Sequence, residues 1–470
     1  MRDVMQSFSA PLAWVNGTWA KDVLLSVGGD GTWQSIDVHT SADQRRDATV
    51  LNGPVLPGMV NAHSHAFQRA IAGMTERTGG AQASGQDNFW SWRDRMYSAA
   101  LRISPEQLEA IAAQLYSELV QVGYTQVCEF HYLHNDPHGK AYADPLEMSA
   151  ALVRAAGTVG IGITLLPTLY MRSGFSANSL RDDQRRFAST PESIAQLCEG
   201  IQRNFGSSLV NTGLALHSLR AVAPQALREA AQFAKTRRIP IHIHVAEQTS
   251  EVADCIQHTG LRPVQWLLEH AGLDAQWNLV HATHTTPVEL QAVQRSGASI
   301  VLCPTTEGNL GDGVFDLPSY AKAGGKWSIG SDSHVTRSWQ EELRLLEYSQ
   351  RLALRQRNVL ANATVAHTAE PSTAAALFNA AMNGGSAGSG RRMKGITVGE
   401  RADFSVMDMS SSALLGIPTS HLLDAFVFSS PDARLSDVFV AGKQIVKSGR
   451  MQGSEGLARD FSKAMQQLWP

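Results

Sequence analysis

Between residues 55 and about 335, the sequence alternates eight short apolar runs, rich in β-branched residues, with longer segments of helical periodicity. This alternation predicts repeated β-strand–α-helix units with parallel strands, and eight such units are the number that closes a barrel. Plausible helices separate most of the runs, which begin near Val55, Thr125, Ile161, Gly213, Ile239, Asn278, Ala298 and Trp327. The sequence therefore predicts a (β/α)8 barrel of the α/β class.

Two short motifs mark the beginnings of helices within this region. Ser104-Pro105-Glu106-Gln107 and Thr286-Pro287-Val288-Glu289 each place a capping hydroxyl before a proline at the first helical position and an acid or amide at the third. The first motif opens a predicted helix over residues 104–122, whose apolar residues recur every three or four positions at Leu108, Ile111, Leu115 and Leu119. We expect this stripe to pack against the barrel.

The two chain ends have a different pattern, with short alternating segments and turn residues that are typical of antiparallel strands. Neither end alone has enough strands to cover a core, so we expect both to join in one small flanking β-sandwich domain. The predicted boundaries are 1–57 and 394–470 for the two parts of this domain, with the catalytic barrel at 58–393. The glycine- and serine-rich segment 383–390 is the predicted hinge into the C-terminal part.

Composition excludes several classes of partner. The net charge is -3 with no long basic run, which argues against binding to nucleic acid or to an anionic membrane surface. No stretch approaches the ~18 uninterrupted apolar residues of a membrane span. The cysteines lack any CxxC pair and are expected to be reduced and buried; they are Cys128, Cys198, Cys255 and Cys303. The expected location is the cytoplasm.

Residues able to bind a metal follow several of the predicted strands. His63 and His65 stand two apart after the first run, so both can face the same side of a strand. Alone, such a pair is equally compatible with two core histidines. However, His244 follows the fifth run, His281 the sixth and Asp332 the eighth. Because the C-terminal ends of all barrel strands point to one mouth, these side chains are predicted to converge on one metal ion.

This arrangement resembles the amidohydrolase superfamily across nearly the whole chain, including Gly399-Glu400-Arg401-Ala402-Asp403-Phe404, which resembles the return into a flanking β domain. The resemblance implies that the metal ligands are His63, His65, His244 and Asp332. It leaves His281 as a further ligand or a hydrogen-bond partner, and it also implies a homodimer. His242 shares the strand phase of His244, but Glu247, three residues after His244, matches the deaminase-like branch. His242 is therefore assigned to packing, and His284 and His334 rank below the named ligands.

The number of metal ions follows from the end of the fourth run. Two-metal relatives bridge their ions with a lysine there, whereas this chain has Leu216-His217-Ser218-Leu219-Arg220. The resemblance therefore implies one divalent ion. Imidazoles and a carboxylate suit zinc, which is our preferred metal, although iron and manganese accept the same ligands. A single ion with an open coordination position would supply hydroxide at neutral pH.

Glu247 suits a cationic or protonatable nitrogen and so favours a deamination reaction. Three motifs add groups for a substrate that carries carboxylates: Phe89–Arg93, Glu129–Tyr132 and His217–Arg220. With His65–Gln68 and His244–Gln248, they closely resemble the formimidoylglutamate deiminase family of histidine degradation. That family converts N-formimidoyl-L-glutamate, a small dicarboxylate, to N-formyl-L-glutamate and ammonia.

Roles for individual side chains follow from this second resemblance. It implies that the substrate carboxylates are bound by Arg93, Tyr132, His217 and Arg220, and that Gln68 orients the group near the metal. The predicted catalytic residues are Asp332 as proton carrier, Glu247 as the partner of the imino nitrogen, and His281 as a stabiliser of the reacting oxygen.

Two alternative functions use the same barrel. Another deaminase of the superfamily, acting on guanine, cytosine or an adenosine derivative, would share the metal site but not the carboxylate-binding residues. A barrel without catalysis would serve as a binding or assembly protein. Single residues could instead have purely structural roles. Arg93 would then be a surface arginine stacked on Trp92, Tyr132 a phenol in the core, and Arg220 the ion-pair partner of an acid on a helix.

Overall fold

A computed structural model describes residues 6–77, 89–363, 371–429 and 433–470 of the chain. Within these ranges the strands form two nine-stranded sheets, one almost closed and parallel, the other mixed. The predicted fold class is confirmed: a (β/α)8 barrel with a separate small β domain made from both chain ends. Residues 1–5, with which the predicted N-terminal part of that domain begins, lie outside the described residues.

Eight consecutive positions around the barrel are occupied by parallel strands. These strands are β6 (Met59–Ser64), β7 (Tyr124–His131), β8 (Gly162–Leu169), β9 (Val210–Thr212) with β10 (Leu214–Leu216), β11 (Ile241–Val245), β12 (Trp277–His281), β13 (Ser299–Leu302) and β14 (Lys326–Ile329). Gly213 separates β9 from β10, which share one barrel position. Each of the eight predicted runs corresponds to one of these positions, except that the first run is divided between the two sheets.

Helices cover the outside of the barrel, and the loops that lead from strands to helices form its mouth. They are α1 (Phe89–Ala100), α2 (Pro105–Gln121), α3 (Glu147–Val159), α4 (Pro191–Phe205), α5 (Pro224–Arg237), α6 (Thr249–Thr259), α7 (Pro263–His270), α8 (Pro287–Ser296), α9 (Pro304–Leu310), α10 (Leu317–Lys322), α11 (Trp339–Leu354), α12 (Val359–Ala363) and α13 (Thr373–Ser389). Both predicted capping motifs are confirmed, because Ser104 and Thr286 cap α2 and α8 in complete capping boxes. The predicted stripe of α2 is fully buried.

The second sheet combines the two chain ends. Its strands are β1 (Gln6–Val15), β2 (Thr18–Val27), β3 (Trp33–Asp37), β4 (Thr49–Val50), β5 (Val55–Pro57), β15 (Phe404–Met407), β16 (Leu435–Val440), β17 (Lys443–Lys447) and β18 (Arg450–Met451). The C-terminal part also contains α14 (Leu422–Phe428) and α15 (Ser454–Leu468), which the sequence analysis did not predict. Since β5 belongs to this sheet and β6 to the barrel, we retain the boundaries 57/58 and 393/394 as a proposal.

The small sheet lies at the N-terminal end of the barrel, away from the mouth. Arg401 forms a buried ion pair with Asp403 and donates hydrogen bonds to the backbone oxygens of Thr125 and Ser208, which lie at or before the starts of barrel strands. The barrel mouth is therefore left to the loops that follow the strands.

The predicted hinge at residues 383–390 is wrong, because this segment is the C-terminal half of α13 and closes the bottom of the barrel. A Cβ atom at Gly384 would lie 1.9 Å from the carbonyl oxygen of Trp327, and one at Gly385 would lie 2.8 Å from Val60. The glycines are needed because the helix backbone approaches the strands closely. Small residues here indicate tight packing rather than flexibility.

Two further properties concern the chain as a whole. All four cysteines are free and buried. Within the described residues, no helix combines the length and the apolar character required to cross a membrane.

Candidate metal centre and active site

The hydrogen bonds that close the barrel also bring candidate ligands together. A bridge between Ser64 and Asp332 joins the first strand to the segment after the last one. The backbone nitrogen of Asp332 donates to the carbonyl of His63 at 3.0 Å. The backbone nitrogen of His65 donates to the carbonyl of Asp332 at 3.3 Å. Residues about 270 positions apart thus become neighbours through the parallel closure of the sheet.

Three imidazoles and one carboxylate converge at this point. The Nε2 atoms of His63 and His244 are 3.0 Å apart, and Oδ1 of Asp332 lies 3.3 Å from Nε2 of His63 and 3.4 Å from Nε2 of His65. All four side chains are buried. Four donors bound at about 2.1 Å to one tetrahedral ion lie about 3.4 Å from one another. The observed spacings therefore suit a single divalent cation.

Neighbouring backbone groups orient two of these imidazoles. Nδ1 of His65 donates to the carbonyl of Phe130 at 2.9 Å, and Nδ1 of His244 donates to the carbonyl of His217 at 3.0 Å. Because a carbonyl only accepts, the proton of each neutral ring is on Nδ1 and the lone pair of Nε2 faces the cluster. Burial lowers the pKa of both histidines, which favours this neutral form. Nδ1 of His63 is buried without a hydrogen-bond partner.

His281 lies beside the cluster between several carboxylates. Its Nδ1 bonds Oε1 of Glu307 at 3.2 Å, while its Nε2 is 3.7 Å from Glu247 and 3.8 Å from Asp332. Burial alone would lower the pKa of His281, but Glu247, Glu307 and Asp332 raise it to about 10. The protonated ring is then a hydrogen-bond donor, and only neutral imidazole binds a metal. The raised pKa favours the hydrogen-bonding alternative for His281, while the spacing of His63, His281 and Asp332, within 4.8 Å of one another, also suits a metal ligand.

The pKa values of Glu247 and Asp332, two acids of the mouth, are shifted in opposite directions. Burial raises the pKa of Glu247 to about 7. The charge of His281 lowers this pKa, and the charge of Asp332 raises it. Burial would also raise the pKa of Asp332, but the hydrogen bond from His63 and the charges of the surrounding histidines lower it below its ordinary value. Asp332 is therefore held as a carboxylate that can accept a proton.

Several non-glycine residues at this mouth have left-handed backbone conformations. These residues are Ala246, His281, Ala282, Asp332 and His334, with φ between 45° and 67°. Such conformations are unfavourable for residues with a Cβ atom and cluster where the surrounding structure imposes them, often at functional sites. Here they turn the chain at the ends of β11, β12 and β14, so that the side chains point into the mouth.

The predicted substrate-binding residues all line one pocket with the candidate metal cluster. The lining includes Gln68, Arg93, Tyr132, His217 and Arg220, together with His65, His244, Glu247, His281 and Asp332. Gln68 donates from Nε2 to the Tyr132 hydroxyl at 3.2 Å, and its Oε1 is buried without a partner. Of the motif Phe89–Arg93, the side chains of Phe89 and Trp90 lie outside the described residues. The pocket thus combines carboxylates with two arginines.

Three further histidines near the motifs have structural positions. His242 is buried within the barrel and Nε2 donates to the carbonyl of Gly388 at 2.9 Å, as expected for packing. His334 uses both ring nitrogens, on Ser331 and on the carbonyl of His65, and so supports the backbone beside a candidate ligand. His284 is not among the lining residues of the pocket.

Sequence reasoning assigned no role to four buried acids around the site, although Glu129 belongs to one of the named motifs. Glu129 accepts hydrogen bonds from Ser64 and from the backbone of Ala66, on both sides of His65. Glu251 accepts from the backbone nitrogens of Ala246 and Glu247. The remaining two are Glu307, which bonds His281, and Asp312. Asp312 stands between Gly311 and Gly313, a turn signal that could have drawn attention to it.

A (β/α)8 barrel with imidazoles and a carboxylate converging at its C-terminal mouth is typical of metal-dependent hydrolases. The family model described as "Amidohydrolase family" matches residues 55–445, and the chain belongs to this family. It is 43% identical over 464 residues to the formimidoylglutamate deiminase of Pseudomonas aeruginosa, covering 99% of this chain and 100% of that protein. The predicted resemblance to this deiminase is confirmed.

Solved structures give the same result for the fold. A crystal structure of an amidohydrolase from Brucella melitensis is 42% identical, with a TM-score of 0.91 over 99% of this chain and 100% of that one. An adenosine deaminase from Xanthomonas campestris, crystallised with bound zinc, has a TM-score of 0.78 at 20% identity and covers 98% of both chains. The second likeness concerns the fold alone.

Proposed function

We propose that this protein hydrolyses N-formimidoyl-L-glutamate to N-formyl-L-glutamate and ammonia. The observation that carries the proposal is the single pocket that combines a carboxylate, Glu247, with two arginines, Arg93 and Arg220. A substrate with a cationic amidine head and two carboxylates matches this combination of charges. The 43% identity to a formimidoylglutamate deiminase over the full length supports the same assignment.

We propose one divalent metal ion, preferably zinc, held by His63, His65, His244 and Asp332. When bound, such an ion lowers the pKa of a water molecule to ~7 and so supplies a nucleophile at neutral pH. The neutral histidines and the spacing of the donors support this set of ligands.

The remaining roles belong to side chains of this chain. Asp332 accepts the proton of the attacking water and returns it to the nitrogen that leaves as ammonia. Glu247 binds the imino nitrogen and keeps it oriented, while His281 donates a hydrogen bond to the oxygen that adds to the formimidoyl carbon. As the bond to the leaving nitrogen breaks, the proton that remains on the added hydroxyl passes to Asp332 and then to solvent. This leaves the formyl carbonyl and ammonia, and it accounts for the extra proton of the cationic substrate.

Ammonia release provides the direct test of this function. We expect the purified protein to release ammonia from N-formimidoyl-L-glutamate, with guanine, cytosine and adenosine giving none above background. The neutral heterocycles lack the carboxylates that Arg93 and Arg220 would pair. Preference for a heterocycle would favour the alternative deaminase. No ammonia from any of the four compounds by a metal-loaded sample would favour a binding or assembly protein.

Arg220 offers a test of the carboxylate-binding end. We expect Arg220→Met to raise KM for N-formimidoyl-L-glutamate by about 10- to 100-fold, with a smaller effect on kcat, because a substrate carboxylate would lose its charged partner in a buried site. The matched control is Arg228→Met on the exposed face of α5, which should leave KM unchanged. Steady-state kinetics measure both, and an unchanged KM in Arg220→Met would remove this arginine from the proposed clamp.

A homodimer and a cytoplasmic location remain predictions. Light scattering of the purified chain tests the first, and cell fractionation tests the second.

A further inference from the structure

Asp312 is a buried acid that the roles above do not use. It lies between α9 and α10, flanked by Gly311 and Gly313, whose φ angles are 71° and 126°. These left-handed conformations favour glycine and allow a tight turn. The backbone nitrogen of Asp312 donates to the carbonyl of Glu307 at 2.9 Å, which closes the turn. As a result, the side chain points inwards and is only 5% exposed.

The carboxylate of Asp312 lies close to Glu247 and His281, two residues that line the active-site pocket. Single polar atoms of Asp312, Glu247 and His281 all lie within 4.8 Å of one another. Oδ1 of Asp312 accepts a hydrogen bond from the side-chain amide of Gln248, the residue after Glu247. Oδ2 is buried and has no hydrogen-bond partner. A buried carboxylate oxygen without a hydrogen-bond partner lowers the stability of the fold, unless a bound ligand donates a hydrogen bond to it.

Charge around this point is unbalanced in the free protein. Burial and the neighbouring charge of Glu247 raise the pKa of Asp312 to about 9. His281 is the adjacent cation, but Glu307 already occupies its Nδ1. The carboxyl of Asp312 therefore binds a proton at neutral pH in the free protein, and a cation placed between Glu247 and Asp312 would favour its ionised form. An amidinium head carries such a charge and presents N–H donors on two nitrogens.

We propose that Asp312 is a second substrate-binding carboxylate, which together with Glu247 holds the two nitrogens of the amidinium head. This inference rests on the proposed function and deepens it. Glu247 binds one nitrogen of the amidinium and the free Oδ2 of Asp312 accepts from the other. The product keeps the N–H on this second nitrogen but loses the positive charge, so Asp312 should favour the amidinium head over the neutral formamide.

The test compares a charged and a neutral ligand in the metal-loaded enzyme. We expect Asp312→Asn to raise KM for N-formimidoyl-L-glutamate by about tenfold or more, because one charged hydrogen bond is lost. The inhibition constant of the product, N-formyl-L-glutamate, should stay within about twofold, since its formamide N–H carries no charge and can bond the asparagine oxygen as well. Asp316→Asn is the matched control, because Asp316 caps α10 on the same loop from an exposed position and asparagine caps equally well.

Three results would overturn the inference. An unchanged KM in Asp312→Asn would exclude the contact. Equal weakening of substrate and product, or a lowered Tm with loss of product binding, would give Asp312 a structural role only. We expect Tm to be kept, since an uncharged amide of nearly the same shape replaces a buried carboxyl that binds a proton in the free protein. Two metal equivalents in the wild type and one in the variant would make Asp312 a ligand of a second ion. Wild-type turnover is measured first, so failure of the proposed function would appear there and not in the variant.

Discussion

An Asp332→Asn variant is expected to lose about 10³-fold or more in kcat, with a much smaller change in KM for N-formimidoyl-L-glutamate. The carboxylate is buried, its pKa is lowered below the ordinary value, and Oδ1 lies 3.3 and 3.4 Å from Nε2 of His63 and His65. Asparagine has nearly the same shape but cannot accept and return a proton. The loss should therefore appear in the chemical step, which steady-state kinetics measure.

Metal content must be determined in the same samples, because Asp332 is also a proposed ligand. A variant that retains its metal but has lost turnover separates proton transfer from metal binding. Asp460→Asn on α15 is a matched control at an exposed position of the small domain's C-terminal part, and it should keep full activity. Near-wild-type kcat in Asp332→Asn would exclude the aspartate as the proton carrier.

Exhaustive chelation is expected to reduce ammonia release to background, and addition of about one equivalent of zinc should restore it. The physical reason is that none of the side chains in the pocket can activate water at neutral pH as strongly as a divalent cation does. The spacings of His63 to His244 and of Asp332 to His63 and His65 fit one such ion, and the Nε2 lone pairs of His65 and His244 face it.

Thermal unfolding gives a second readout for the same experiment. A ligand that binds only the folded state raises stability, so Tm should fall on chelation and recover on reloading. A His63→Ala variant should show neither the zinc-dependent rise in Tm nor bound metal, while its far-ultraviolet circular dichroism stays that of a folded barrel. A chelated enzyme that keeps its activity, with metal absent by elemental analysis, would contradict the proposed mechanism.

Much of the fold could be predicted because its signals are local. The caps at Ser104 and Thr286 and the stripe of α2 depend on residues within a few positions of each other. The apolar runs located the barrel strands for a similar reason, since parallel strands buried on both faces are almost continuously apolar. Segment 383–390 shows the limit of this reasoning. Glycine and serine are common in flexible segments, but here they allow α13 to approach the strands.

The candidate ligands were found from sequence because each directly ends or follows a strand, and barrel closure brings all strand ends to one mouth. The sequence by itself determined the barrel. It also supplied the candidate metal ligands and the two arginines proposed to bind substrate. Only the tertiary structure decided which way each side chain points and what completes it: the carbonyls that orient His65 and His244, Glu307 behind His281, and Asp312 beside Glu247. These contacts join loops distant in sequence, and their distances depend on closure of the whole sheet rather than on any local pattern.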